Sequence, residues 1–188
     1  MNRAIPGVGV SCATVDDADG AATAVRHLLD LGHRRIGVIA GPPGLDTTAR
    51  RSAGARRAAR RRHLDVVSAG AFDAPHGEQA MIELLTAAPA VTGVFASSVE
   101  IAFGALAAVR SLGRRVPDDV SIVTLHDHPL APFIEPALTT VTLPLAELGR
   151  VSFELLLQQI NGATPVSVMV DGPGQLVQRS STAAPRAT

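Results

Sequence analysis

The stretch from His27 to Gly54 constrains the fold of this chain more than any other. His27, Leu28 and Leu29 close a helix, and Gly32 stands where a left-handed C-terminal cap is wanted. Ile36 to Ala40 is a short apolar run, the mark of a parallel strand covered on both faces. Gly41, Pro42, Pro43 and Gly44 then break regular structure. Thr47 or Thr48 is expected to cap the next helix, with Arg51 in its first turn. Helix, strand, loop and helix in so short a span mark a layered α/β protein.

The rest of the chain repeats that alternation. Val8 to Ser11 reads as a strand, and Asp16 or Asp17 caps a helix whose stripe is Ala21, Ala24, Val25, Leu28 and Leu29. The helix after Gly44 is expected over residues 48–62. Further strands are expected at Val66 to Ala69, Thr92 to Ala96 and Val120 to Leu125. Between them lie helices, one opened by Pro75 and one capped by Ser97 or Ser98 and stopped at Gly113. Residues 126–138 read as a loop and Thr139 to Thr142 as extended. Pro144 opens a helix through Ile160, Val166 to Val170 alternates, and Gln175 to Arg179 is the last strand. Residues 183–188 read as a frayed tail. Strands alternating with helices argue for a doubly wound parallel sheet.

Composition narrows the function classes. The chain has 188 residues, 46% of them hydrophobic, and a formal charge of zero, so nothing pulls it as a whole toward nucleic acid or anionic membrane. Every basic residue is Arg, and seven fall between Arg50 and Arg62, including Arg56, Arg57, Arg60, Arg61 and Arg62. Without interleaved aromatic residues that run reads as a solvated helix face rather than a nucleic-acid surface. Cys12 is the one cysteine, which excludes an intrachain disulfide and a cysteine metal cage. Arg3 is followed by no long apolar stretch before Pro6, and no run approaches a membrane span, so a cytoplasmic protein without a membrane partner is expected. No Gly-x-Ser-x-Gly, phosphate-binding loop or metal-spaced His/Glu cluster is present, so neither an enzyme nor a metal or cofactor site is expected.

Four motifs in register carry a resemblance. The first is His27-Leu28-Leu29, Leu31-Gly32-His33, Ile36, Gly41-Pro42 and Arg51-Ser52-Ala53-Gly54. The second runs from Val116-Pro117-Asp118-Asp119 to Val123. The third is Pro136 to Val141 with Glu147-Leu148-Gly149-Arg150. The fourth runs from Leu176 to Thr182. Together they resemble the sensor domain of the lactose/galactose-repressor (LacI/GalR) family of bacterial transcription regulators. The resemblance implies a two-lobed, periplasmic-binding-protein-like α/β fold with parallel sheets and a ligand cleft between the lobes. Residues 1–182 would form the sensor. One lobe would hold residues 1–40 and 141–170, the other residues 41–138 and 174–182. Crossings would fall near Ala40–Gly41, Thr139–Val141 and Val170–Gly174. The family begins with a helix-turn-helix headpiece and further strand–helix units that this sequence does not contain. The first lobe is therefore expected to be incomplete, and DNA contact is expected only through a headpiece outside this chain.

Ligands in such folds collect at the carboxyl ends of strands. The expected binding residues are accordingly Asp46, Thr47 and Arg51, Ser97 and Ser98, and His126 and Asp127. By position Arg51 resembles the family's ligand-contacting arginine, whose fork suits vicinal hydroxyls or a carboxylate. His126 stands where the family usually has aspartate, and Ser98-Val99 where it often has Asn-Asp, so the usual pincer around a sugar is altered. His128 and His33 read as plain loop positions. The expected function is an effector-sensing domain of a homodimeric regulator that binds a small, sugar-like metabolite. The alternatives are a solute-binding protein without a DNA-linked role and a truncated regulator without function.

Overall fold

The computed structural model describes residue 2, residues 8–60 and residues 62–186. Arg3, Pro6, Arg61 and the last two residues of the expected tail lie outside the described residues. The elements in order are β1 (Cys12–Thr14), α1 (Asp17–Asp30), β2 (Ile36–Ala40), α2 (Asp46–Ala59), β3 (Leu64–Ser68), α3 (Ala74–Ala87), β4 (Gly93–Ala96), α4 (Val99–Ser111), β5 (Ser121–Leu125), β6 (Thr139–Thr142), α5 (Leu145–Ile160), β7 (Ser167–Met169) and β8 (Gln175–Val177). No described helix is long and apolar enough to cross a membrane.

Two sheets organise these elements. A six-stranded sheet runs in the order β3-β2-β4-β5-β6-β8, parallel except for the antiparallel β6–β8 pair. Every residue of β2, β4 and β5 is buried, because helices cover both faces. Ile36, Val38, Phe95 and Val123 face α1 and α2, where they meet Ala21, Val25, Leu28 and Ala55. Ile39, Val94 and Ile122 face the other way, against Met81, Leu84, Ile101 and Ala105 of α3 and α4. The second sheet is the parallel pair β1–β7, packed on α5 through Ala13, Val15, Leu148, Leu155 and Val170.

This topology corrects the expected lobe boundaries. α1 and β2 belong to the larger lobe, since β2 pairs with β3 (Ile36 with Leu64) and with β4 (Ile36 with Gly93). β6 joins the same sheet through Val123 and Thr139. The crossings therefore lie between β1 and α1, between β6 and α5, and between β7 and β8. Periodicity identifies a buried strand but not its neighbours, so it does not tell in which lobe residues 16–40 lie. The smaller lobe holds two short strands and one helix. It leaves Phe153, Ile160 and Met169 at 61%, 70% and 60% exposure, the open face of a partial domain.

Local expectations shift in five more places. Among the described residues the first strand is Cys12–Thr14 rather than Val8 to Ser11, because Cys12 to Thr14 is the segment that registers with Ser167 to Met169. α2 starts at Asp46, its N-cap Leu45 makes no side-chain bond, and Thr47 and Thr48 lie inside the first turn. The same helix stops at Ala59, where Arg60 turns to a φ of 56°. The tail is tied down through residue 186. Ala183 exchanges hydrogen bonds with the Ser121 hydroxyl at 3.0 and 3.1 Å, and Arg186 pairs with Asp118 and Asp119. His33 is not a loop surface residue. It is 1% exposed, with Nδ1 2.9 Å from the Thr92 hydroxyl and Nε2 3.0 Å from the Ala183 carbonyl.

Candidate functional site

β2, β4 and β5 all end at one edge of the large sheet, facing the smaller lobe. Asp17, in the first turn of α1, lies beneath that edge with no exposed surface. A carboxylate so buried needs partners, and it has two. Arg51 Nε donates to one oxygen at 2.8 Å, and Arg50 Nη2 donates to the other at 2.7 Å. Both arginines come from α2, whose register places consecutive residues at the mouth of the strand end. Asp46 pairs with Arg50 one turn earlier on the same helix.

Arg51 is 4% exposed, and its guanidinium is held on three sides. Besides Asp17 it donates through Nη1 to the Ser97 carbonyl at 2.8 Å, and Nη2 stands 3.2 Å from His126 Nε2. Phe72, from the segment after β3, lies 5.7 Å from the guanidinium carbon, a cation–π distance. Gly41 makes room for that ring, since a Cβ there would stand 2.2 Å from Phe72.

His126 leaves β5 with a φ of 72°, and its N–H donates to the Val141 carbonyl at 2.9 Å. This turn sends the ring back toward Arg51. Burial, reinforced by the Arg51 charge, pushes the imidazole down to about 4, so the ring is neutral at pH 7. Titration between pH 5.5 and 7.5, which a free histidine would show, is displaced to more acid conditions.

The sequence-expected residues thus fall into two groups. Arg51, His126 and the Ser97 backbone converge on one cluster. The others are engaged elsewhere. Thr47 donates to the Asn2 carbonyl at 2.9 Å, and Ser98 caps α4 by accepting from the Ile101 N–H at 3.4 Å. Asp127 accepts from the Thr140 hydroxyl at 2.9 Å and from both terminal nitrogens of Arg179 at 2.8 and 3.0 Å. The Arg179 hydrogen bond holds its carboxyl below the usual range. The Ser97 and Thr48 hydroxyls are sealed from solvent and have no partner among the described residues. Internal bonds take three of the five Arg51 N–H donors. The sequence presents Asp17 only as a possible helix cap and Arg50 as part of a solvated arginine face, and it gives no reading of Phe72. None carries a local signal of its role, since each acts across at least two elements. Asp16 is the residue that caps α1.

A doubly wound sheet linked by three crossings to a second sheet, with a polar cluster at the strand ends that face it, defines the periplasmic-binding-protein-like class. The sequence profile of the periplasmic binding protein-like domain matches residues 25–182. The chain is 34% identical to the HTH-type transcriptional regulator GalS of Salmonella typhimurium over 97% of its own length and 55% of that protein's. A solved LacI family transcriptional regulator from Mycobacterium smegmatis superposes with a TM-score of 0.91 at 33% identity, covering 99% of this chain and 70% of that one. The transcriptional regulator CelR, solved as a cellobiose complex, gives a TM-score of 0.85 at 35% identity, covering 94% of this chain and 55% of that one. This chain belongs to the LacI family of transcriptional regulators and forms part of its periplasmic-binding-protein-like domain. It spans about half the length of the curated relatives it matches.

Proposed function

We propose that this chain is the effector-sensing part of a cytoplasmic, homodimeric LacI-type regulator. It binds a small metabolite, a sugar or a related compound, between its two lobes, and DNA is contacted by a headpiece outside this chain. The observation that carries this reading is the Asp17–Arg51–His126 cluster at the carboxyl ends of parallel strands, where such sheets collect ligands. The sugar held by the related CelR supports the ligand class. Asp127, Thr47 and Asp46 shape the rim through their own internal bonds. Ser97 supplies the carbonyl that orients Arg51, and Ser98 fixes the helix behind it.

Isothermal titration against a panel of mono- and disaccharides and related metabolites tests the reading. Saturable 1:1 binding is expected, weakened by about 1.5–3 kcal/mol in Arg51→Ala, the loss of one charged hydrogen-bonding group. A panel in which nothing binds, or equal affinity in that variant, overturns it.

A further inference from the structure

Hydrogen-bond bookkeeping around His126 reaches beyond the presence of a ligand to its chemistry. Arginine has five N–H donors and no acceptor. Where Arg51 Nη2 stands 3.2 Å from His126 Nε2, the ring nitrogen is therefore the acceptor. A neutral imidazole that accepts at Nε2 carries its proton at Nδ1. Nδ1 has no hydrogen-bond partner among the described residues, and the ring is only partly covered, so this N–H is an open donor at the strand end. The acceptors around it are already taken. Both oxygens of Asp17 bind arginines, Asp46 pairs with Arg50, and both oxygens of Asp127 bind Arg179.

Resting on the sensing role proposed above, we infer that His126 determines the specificity of this site. It presents Nδ1–H to the effector and selects a ligand with an acceptor-only oxygen there, a carbonyl or carboxylate. Toward His126, Asp17 and Arg51 act as positioning residues. Asp17 anchors the guanidinium, and the guanidinium fixes which imidazole nitrogen holds the proton. The low proton affinity of the ring agrees with that division of roles, because a second proton at Nε2 would oppose Arg51. A hydroxyl both donates and accepts, so a neutral aldose gains little here that water does not offer.

Two measurements on the full chain test the inference. Long-range ¹⁵N–¹H spectra of the histidine side chains at pH 7 read the tautomer of His126 without a ligand, with His126→Asn identifying the signal. The Nδ1–H form is expected. The Nε2–H form, which free imidazole side chains prefer, or a doubly protonated ring overturns the proposal. Titration with matched pairs of aldoses, uronic acids and aldonolactones reads the selectivity. The acid or lactone is expected to bind about tenfold or more tightly than its parent aldose. His126→Asp, an acceptor-only side chain, is expected to abolish or reverse that order. His126→Asn, whose amide accepts from Arg51 and still donates, keeps the order at reduced affinity, and both replacements tolerate the positive φ. A preference for neutral aldoses overturns the specificity. Absence of binding by every compound, with the Nδ1–H form in place, overturns the sensing role instead.

Discussion

Asp17 shows how much one residue can carry at this site. Its carboxylate is fully enclosed and compensated by two guanidinium groups. Asp17→Ala would leave Arg51, itself 4% exposed, as an unpaired buried charge, for which a loss of about 3–5 kcal/mol is expected. Urea unfolding followed by far-UV circular dichroism measures it, and a loss below about 1 kcal/mol would refute the account. His126 makes the second residue-scale prediction. Its folded-state value of about 4 lies below the usual 6.5, so folding favours the neutral ring. The sign follows directly: this contribution is fully present above about pH 6.5 and is lost as pH falls toward 4. The difference corresponds to about 3 kcal/mol. His27 and His33 are also lowered, chiefly by burial, and add to the same acid loss. His126→Asn should flatten the pH dependence of the melting temperature between pH 6.5 and 4, and an unchanged slope would assign the acid loss to the other two.

Pairs of helices, rather than single helices, set the geometry on each face of the large sheet. α3 and α4 cross where Gly104 meets Ala74, and a Cβ at residue 104 would stand 1.8 Å from the Ala74 carbonyl oxygen. α1 and α2 cross in the same manner at Gly54, where a Cβ would stand 1.9 Å from the Ala18 carbonyl oxygen. Backbone cannot yield as a side-chain tip can, so Gly104→Ala is expected to cost about 3 kcal/mol, the upper end for overpacking. Gly149 in α5 has nothing within 4 Å of a built Cβ. There the same substitution should be neutral or stabilising by up to about 1 kcal/mol, from helix propensity alone. Thermal melts of the two variants side by side check the contrast. Equal effects would mean that the helix crossing does not depend on its glycine.

At the level of the whole molecule the two lobes are unequal. The larger has both sheet faces covered, whereas the smaller shows Phe153, Leu156, Ile160 and Met169 to solvent on α5 and β7. Exposed apolar surface of this kind drives association. The chain is therefore expected to self-associate at micromolar concentration in sedimentation velocity. Phe153→Gln with Ile160→Gln should shift it toward monomer and reduce binding of a hydrophobic dye. Association that persists in the double variant would move the contact to Phe133, 84% exposed on the loop before β6.

By itself the sequence determined what is local. The apolar runs of β2, β4 and β5, the Gly32 stop, Pro75 at the start of α3 and the Ser98 cap of α4 all depend on residues within a turn or two, where spacing and backbone preference decide the outcome. The four motifs in register brought the fold class and the family with them. Tertiary structure alone decided which strands are neighbours, and so in which lobe α1 and β2 lie. It also joined Asp17 to Arg51 across 34 positions and Arg51 to His126 across 75, and it buried His33 under the segment that holds Ala183. The physical reason is the same in each case. Strand pairing and the compensation of buried charge are set by burial between segments distant in the chain. A local pattern holds which residues are apolar or charged, but not which of them meet.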